Sequence, residues 1–344
     1  MAKIDEIIID SGEEFDEFNG DIDDVRTQSF SLMLQNKGLS QLGKVASEQF
    51  EEGYDKETKT SVVIRNEVSI SLLSEFPETF KVSTHKTLDL LMILFTQQNT
   101  YGEDSKNNTV SFTLDDYLLL TKTPVTKPNR DKLRQKLTGD LNLLYNLSLD
   151  WETPDGENIK RERLCTGFEI RNSRVNVFLN ERFTNRLTRS YFVDLPMKLF
   201  ALPEYKQAVY YIGKKLAEQN TYELNKKRET NDIISVKRLL AACPTIPTKE
   251  DVDKEKRYKH RIKIQKPLEE ALNTLQEADV IKWEYCNSKK APLTEYQKEH
   301  FTFDAFLNSY IHFDMIKENI DEWVCNFCIL ICCFICKSIL LLEY

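Results

Sequence analysis

Along the first sixty positions the apolar residues recur with neither a helical nor a strand period. Gly12, Gly20, Gly38, Gly43 and Gly53 interrupt any helix there, which predicts a largely disordered arm over residues 1–60. Regular patterning begins near Ser61: residues 61–65 have strand character and lead into 66–70. From there to about residue 313 apolar and polar positions alternate without a long break.

Two stretches of this body follow one plan. In the first, Leu88, Leu91, Met92 and Phe95 recur at helical spacing and predict a helix over 85–98. A short strand at 109–112 follows, Thr113 caps a short helix over 115–120, and Pro124 and Pro128 mark a turn. A longer helix over 130–146 comes next, then strand-like runs at 148–151 and 166–170 around a polar loop, and a strand at 174–179. In the second, Ala208, Tyr211, Ile212 and Leu216 mark a helix over 204–220, and Ile233 and Ile234 precede a short helix capped by Ser235. A turn with Pro244 and Pro247, a long basic helix reaching about Ala278 and a strand at 280–285 complete it. Each long helix is followed by a strand with a tryptophan, Trp151 or Trp283.

Helix, strand, helix, turn, helix, hairpin is the order of a winged helix-turn-helix, whose third helix enters the major groove while the wing lies along the backbone. The expected fold class is therefore mainly α with small β-hairpins (α+β), as two tandem winged helix-turn-helix domains. These span 61–192 and 193–315, behind the arm of 1–60 and ahead of a Cys-rich apolar tail at 316–344. Small helical domains with hairpins that bind no DNA carry the same pattern.

Charge changes this picture. The chain of 344 residues has a net charge of −8, which taken whole opposes binding to nucleic acid. Residues 1–24, however, hold ten Asp or Glu against one Lys, a net of −9, and residues 120–267 hold 31 Lys or Arg against 19 Asp or Glu, a net of +12. An acidic arm is joined to a basic body.

The third helices carry the candidate DNA contacts. In the first, Leu133, Leu137, Leu141 and Leu144 form the stripe expected to be buried. The opposite face carries Asp131, Gln135, Thr138, Gly139 and Asn142, flanked by Lys132 and Lys136. Gln and Asn suit adenine edges, Thr suits a base or a thymine methyl, and lysines suit phosphate. In the second, Ile264, Leu268, Leu272 and Leu275 form the apolar stripe, and Lys259, Lys263 and Lys266 line the other face. Like charges one turn apart repel, so such a stripe calls for an anion opposite. Arg257 and Arg261 project nearer the apolar side, and Pro267 predicts a kink or break. Wing positions add Lys160, Arg161 and Arg163 in the first unit and Lys282, Lys289 and Lys290 in the second. Arg182, Arg186 and Arg189 extend the same surface. Solvated helix faces and hairpins carry such residues too.

Signatures of catalysis are missing. The chain has no G-x-x-x-x-G-K-[ST] and no G-x-S-x-G, and His85, His260, His300 and His312 are isolated. No enzyme activity, cofactor or metal is expected. Cys165, Cys243 and Cys286 read as reduced thiols, and no signal peptide opens the chain, so the cytoplasm is the expected compartment. In the tail, Cys325 and Cys328 have zinc-like spacing among apolar residues, and Lys337 interrupts a membrane-length run. The favoured reading there is an accidental extension, for instance after a shift of reading frame.

Asn231 to Pro247 (NDIISVKRLLAACPTIP), Trp283 to Lys289 (WEYCNSK) and Tyr210 to Ala217 (YYIGKKLA) resemble a group of proteins from plasmids, phages and integrative elements of Firmicutes. The resemblance covers mainly residues 195–313. It implies a replication initiator with two winged helices and offers no catalytic residues. The function expected is binding of double-stranded origin repeats, read by one chain or a dimer, and recruitment of a host helicase or other replication proteins through the acidic arm. A winged-helix transcription regulator and a protein-interaction module are the alternatives. No membrane partner is expected.

Overall fold

The computed structural model describes residues 29–45, 47–73, 80–100, 107–152, 158–187, 191–225, 230–254, 259–294, 296–297 and 300–317. The described residues open with β1 (Phe30–Gln35), α1 (Lys37–Leu42), α2 (Ser47–Glu52), β2 (Tyr54–Asp55), β3 (Thr60–Arg65) and β4 (Val68–Leu73). The first repeat follows: α3 (Val82–Thr100), β5 (Thr109–Thr113), α4 (Leu114–Leu120), α5 (Lys127–Asn146), β6 (Leu147–Glu152), β7 (Asn158–Arg163), β8 (Cys165–Arg171) and β9 (Arg174–Leu179). After α6 (Glu181–Leu187), β10 (Tyr191–Pro196) and α7 (Lys198–Ala201), the second repeat begins with α8 (Gln207–Asn225), β11 (Ile233–Ser235) and α9 (Val236–Leu240). It continues through α10 (Lys249–Lys254), a π-helical turn (Arg261–Gln265), α11 (Lys266–Glu277), β12 (Ile281–Cys286), α12 (Phe303–Asn308) and β13 (Tyr310–Met315).

Strand connectivity is the same in the two repeats. In the first, β9 lies between β5 and β8; in the second, β13 lies between β11 and β12, all antiparallel. The strand after each opening helix thus pairs with the last strand of its repeat, as Val110 does with Val177 and Ile234 with Ile311. Helix starts are fixed by local chemistry. The Thr113 hydroxyl accepts from the Asp116 N–H at 3.1 Å while Asp116 accepts from the Thr113 N–H, and the Ser235 hydroxyl accepts from Arg238 N–H at 3.3 Å.

Three expectations are corrected. Residues 29–45 and 47–60, assigned to a disordered arm of 1–60, are structured, with Met33, Leu34, Leu39, Leu42, Val45 and Phe50 buried. Their partners are remote in sequence: β1 pairs antiparallel with β10 across roughly 160 positions, β1 packs on α3 and β10 on α8. Local periodicity cannot register such pairing. The acidic segment up to residue 28, like the tail from 318, lies outside the described residues.

The second correction concerns hairpins. The run at 148–151 does not pair with 166–170. Instead β6 pairs with β7 and with β4, as in Ser69 opposite Asp150, completing a five-stranded sheet in the order β2-β3-β4-β6-β7. The hairpin of the first repeat is β8–β9, turning at Asn172, whose φ of 51° is left-handed. With that sheet the chain is an α+β mixture in which strands are more than small hairpins. Third, the long basic helix expected up to Ala278 is broken into α10, the π-turn and α11, with Pro267 in the first turn of α11. The Lys266 N–H bonds to the Arg261 carbonyl, five residues back, which defines the wide turn.

Buried polar contacts join the repeats. On α3, Asp89 accepts from Lys214 Nζ of α8 at 2.7 Å and from the Tyr210 hydroxyl at 2.6 Å. Lys86 Nζ donates to the Phe200 and Leu202 carbonyls at 3.0 and 2.7 Å, and burial pushes its pKa down to about 8. His85 is fully buried against Phe80 and Tyr211, with Nε2 3.2 Å from the Val45 carbonyl. Cys165, Cys243 and Cys286 are buried free thiols. No helix among the described residues is long and apolar enough to cross a membrane.

Candidate nucleic-acid interface

Helix α5 is a single run of 20 residues. Thr126 caps it, its hydroxyl accepting from the Asn129 N–H, and Pro128 sits in the first turn where its missing N–H costs nothing. Leu133, Leu137, Leu141 and Leu144 are buried, as their spacing requires. Asp140 is buried with them and accepts from the hydroxyls of Ser83, Thr84 and Thr87 at 3.0, 2.7 and 3.2 Å. Burial raises its pKa despite those hydrogen bonds. At the helix start Arg130 makes a two-pronged contact with Asp115 of α4 at 2.6 and 2.7 Å, which holds the Asp115 carboxyl below its usual range.

The opposite face of α5 is open to solvent. Asp131, Lys132, Gln135, Thr138, Gly139 and Asn142 are all exposed along it. The side chains of Lys132, Gln135 and Asn142 make no hydrogen bond or ion pair among the described residues. Lys136 is turned away from that face into an ion pair with Glu204, so it is less available than the sequence suggested. Arg134 reaches sideways and donates to the Asn172 carbonyl, tying the tip of β8–β9 to α5.

The wing positions of the first repeat need correction. Lys160, Arg161 and Arg163 lie on β7, at the edge of the five-stranded sheet and outside the β8–β9 hairpin. Arg163 is exposed and lies over the Tyr145 ring, 5.2 Å from its centroid. The cations that do flank the hairpin tip are Arg171, paired with Glu169, and Arg174, exposed. Sequence reasoning passed over both. The signal was the turn Arg171-Asn172-Ser173-Arg174, in which Asn readily takes a left-handed conformation. Arg182 is exposed on α6, Arg186 lies on the same helix, and Arg189 is outside the described residues.

In the second repeat the π-turn resets the faces. Ile264, Leu268, Leu272 and Leu275 are buried as expected. Lys259 and Lys266 are exposed, but Lys263 is half-buried, and Arg261, expected nearer the apolar side, is exposed beside Ile262. A wide turn of five residues shifts each preceding side chain around the axis relative to the α-helical stripe. Arg257 lies outside the described residues. Lys266 is 3.8 Å from Glu270. His260 holds the break together: Nε2 is 2.6 Å from the Asp253 carboxylate and the ring stacks on Phe303 with centroids 4.7 Å apart. Of the hairpin cations, Lys282 and Lys289 are exposed, whereas Lys290 pairs with Asp232 at 2.6 Å. Burial pushes the Asp232 carboxyl up, and the Lys290 and His312 contacts outweigh it and hold it low. Among the described residues, no group of three or more His, Cys, Asp or Glu is arranged to hold a metal ion.

Comparisons with known proteins close this description. No family model matches the chain, and no curated protein matches it. Among solved structures it is similar to the crystal structure of RctB domains 2–3, at 13% identity and a TM-score of 0.35, over 77% of this chain and 93% of that one. A second structure of domains 2 and 3 of RctB is similar at 11% identity and a TM-score of 0.37, over 80% of this chain and 98% of that one.

Proposed function

We propose that the chain binds duplex DNA through two tandem winged helix-turn-helix units and acts as the replication initiator of a plasmid or other mobile element, without enzymatic activity of its own. One observation carries the DNA-binding reading. The same three-strand connectivity follows a long opening helix twice, and each time the helical segment after the capped short helix turns its apolar stripe inward and polar or basic residues outward. Helix α5 then supplies base-reading amides at Gln135 and Asn142, and Lys259, Arg261 and Lys266 supply phosphate contacts in the second repeat. The β8–β9 hairpin and the edge strand β12 with its following turn take the place of wings, with Arg174, Lys282 and Lys289 at their exposed positions. The initiator role rests on the resemblance of residues 195–313 to initiators of mobile elements. The acidic segment ahead of residue 28 would then serve as a docking arm for host replication proteins.

Salt titration of the full chain on duplex DNA of the element tests the binding. With six or more phosphate contacts, affinity should fall by about a thousandfold or more between low and moderate salt. A flat response would sink the DNA reading. Supplying the protein in trans to a plasmid that carries the element's origin region alone, with no other element gene, then separates initiation from regulation: maintenance is expected, and its absence leaves a regulator.

A further inference from the structure

Gly139 sits in the interior of α5, where glycine is a poor helix former because it loses more backbone freedom than any other residue on ordering. Other glycines have evident reasons within the fold. A Cβ on Gly213 would meet Leu199 Cδ2 at 2.5 Å and Leu275 Cδ2 at 3.0 Å, and one on Gly53 would collide with the Val62 carbonyl. At Gly139 a Cβ would meet nothing within 4 Å, so no contact among the described residues accounts for its smallness. Its φ is not left-handed either.

Its neighbours on the face narrow the cause. Gln135 lies one turn before it and Asn142 one turn after, both exposed. The Thr138 hydroxyl is folded back onto the Arg134 carbonyl at 2.8 Å, so the surface beside the glycine is low. Exposed positions from 131 to 142 are Asp131, Lys132, Gln135, Thr138, Gly139 and Asn142, without an apolar side chain among them. Close packing against another helix calls for apolar flanks, whereas amides with a cation at the edge fit the floor and wall of a DNA groove.

We infer that Gly139 is a specificity-determining contact point of α5: the helix backbone there meets the edge of duplex DNA at van der Waals distance, a gap that any side chain would close. Gln135 and Asn142 are thereby brought within reach of base edges on either side. This inference rests on the DNA-binding reading above and adds to it the depth at which α5 must seat.

The test uses the full chain and the duplex it selects from a pool of random-sequence DNA. Gly139→Ala and Gly139→Gln are compared with wild type by thermal melting, by DNA affinity and by mass in solution. Both variants should melt higher, the alanine by about 2 °C, because the helix gains a better former. Affinity for the selected duplex should nevertheless fall, by about tenfold for alanine and further for glutamine. Opposite signs in stability and binding are the signature of a gap kept for a partner. Variants that bind the selected duplex as tightly as wild type overturn the inference and leave the DNA reading intact. A change in oligomeric mass with unchanged affinity also overturns it, by naming a second copy of the chain as the occupant. If wild type selects no duplex, both readings fall together.

Discussion

The third helical segments of the two repeats occupy equivalent places relative to the same three-strand connectivity, yet they are built differently. Helix α5 is unbroken, pinned at its start by Arg130–Asp115 and in its middle by the three hydroxyls on Asp140. Its counterpart is non-helical at Lys259, widened into a π-turn and stapled by His260 between Asp253 and Phe303. The exposed chemistry differs in parallel. Amides and a threonine dominate α5, while the π-turn region shows Lys259, Arg261 and Lys266. A rigid helix can hold a short amide against one base edge, which demands accuracy of a few tenths of an ångström. Phosphate contact by long, flexible cations tolerates a looser frame. On the proposed DNA-binding function, the comparison points to reading by the first repeat and anchoring by the second.

The largest test asks whether the two repeats can be treated apart at all. Asp89 and Lys214 are buried, with side-chain exposures of 4% and 7%, and they bind across the junction between α3 and α8. Asp89→Ala would leave the Lys214 ammonium buried and unpaired, which should cost about 3–5 kcal/mol. Replacing both partners by apolar residues of similar volume should cost far less. Denaturant unfolding of the full chain checks this: one steep transition that moves as a whole in Asp89→Ala means that the repeats fold together. Two transitions, with only one displaced, would show that the junction is incidental and that each repeat stands alone.

A test of intermediate size separates reading from anchoring. Gln135→Ala with Asn142→Ala should lower affinity for the preferred duplex by about 1–3 kcal/mol per lost base contact while leaving binding to mixed-sequence DNA nearly unchanged. Lys259→Ala with Lys266→Ala should weaken binding to both, and should flatten the salt dependence by about one contact per lysine. Competition assays with the two kinds of DNA read the difference directly. Equal losses on both kinds of DNA from the α5 changes would erase the proposed division of labour.

How much of this was legible in the sequence depends on the range of the interactions involved. The leucine stripe of α5 and the caps at Thr113 and Ser235 are local signals, and the structure realises them where the spacing put them. Pro267 likewise announced a break, though not the π-turn, because one extra residue per turn leaves no mark in a pattern of apolar positions. The β6–β7 and β8–β9 hairpins could not be told from a single long one, since β6 is defined by its pairing with β4 some eighty positions earlier. The same holds for β1, whose partner β10 lies on the far side of the first repeat. On the candidate interface, exposure of Gln135 and Asn142 followed from helical period alone. The loss of Lys136 to Glu204 and of Lys290 to Asp232 did not, because each pairing joins segments more than fifty residues apart.

Per pH unit, a smaller expected effect also lies at the junction and sets the repeats apart by pH. His85 is buried in the first repeat's opening helix, and burial, with the nearby Lys214 charge, pushes its pKa down to about 3. The ordinary imidazole value is higher, so between the two values only the unfolded chain takes up the proton. The stability this neutral ring allows is therefore complete above the ordinary value and is lost as pH falls toward 3, at up to about 1.4 kcal/mol per pH unit. His260 of the second repeat, by contrast, is half-buried, with Nε2 2.6 Å from the Asp253 carboxylate. His85→Gln should flatten the acid limb of the stability curve by one proton's worth, whereas His260→Gln should leave that component in place. Denaturant midpoints measured from neutral pH downward provide the comparison. An unchanged slope in His85→Gln would remove this histidine from the acid sensitivity of the fold and with it the distinction between the two repeats.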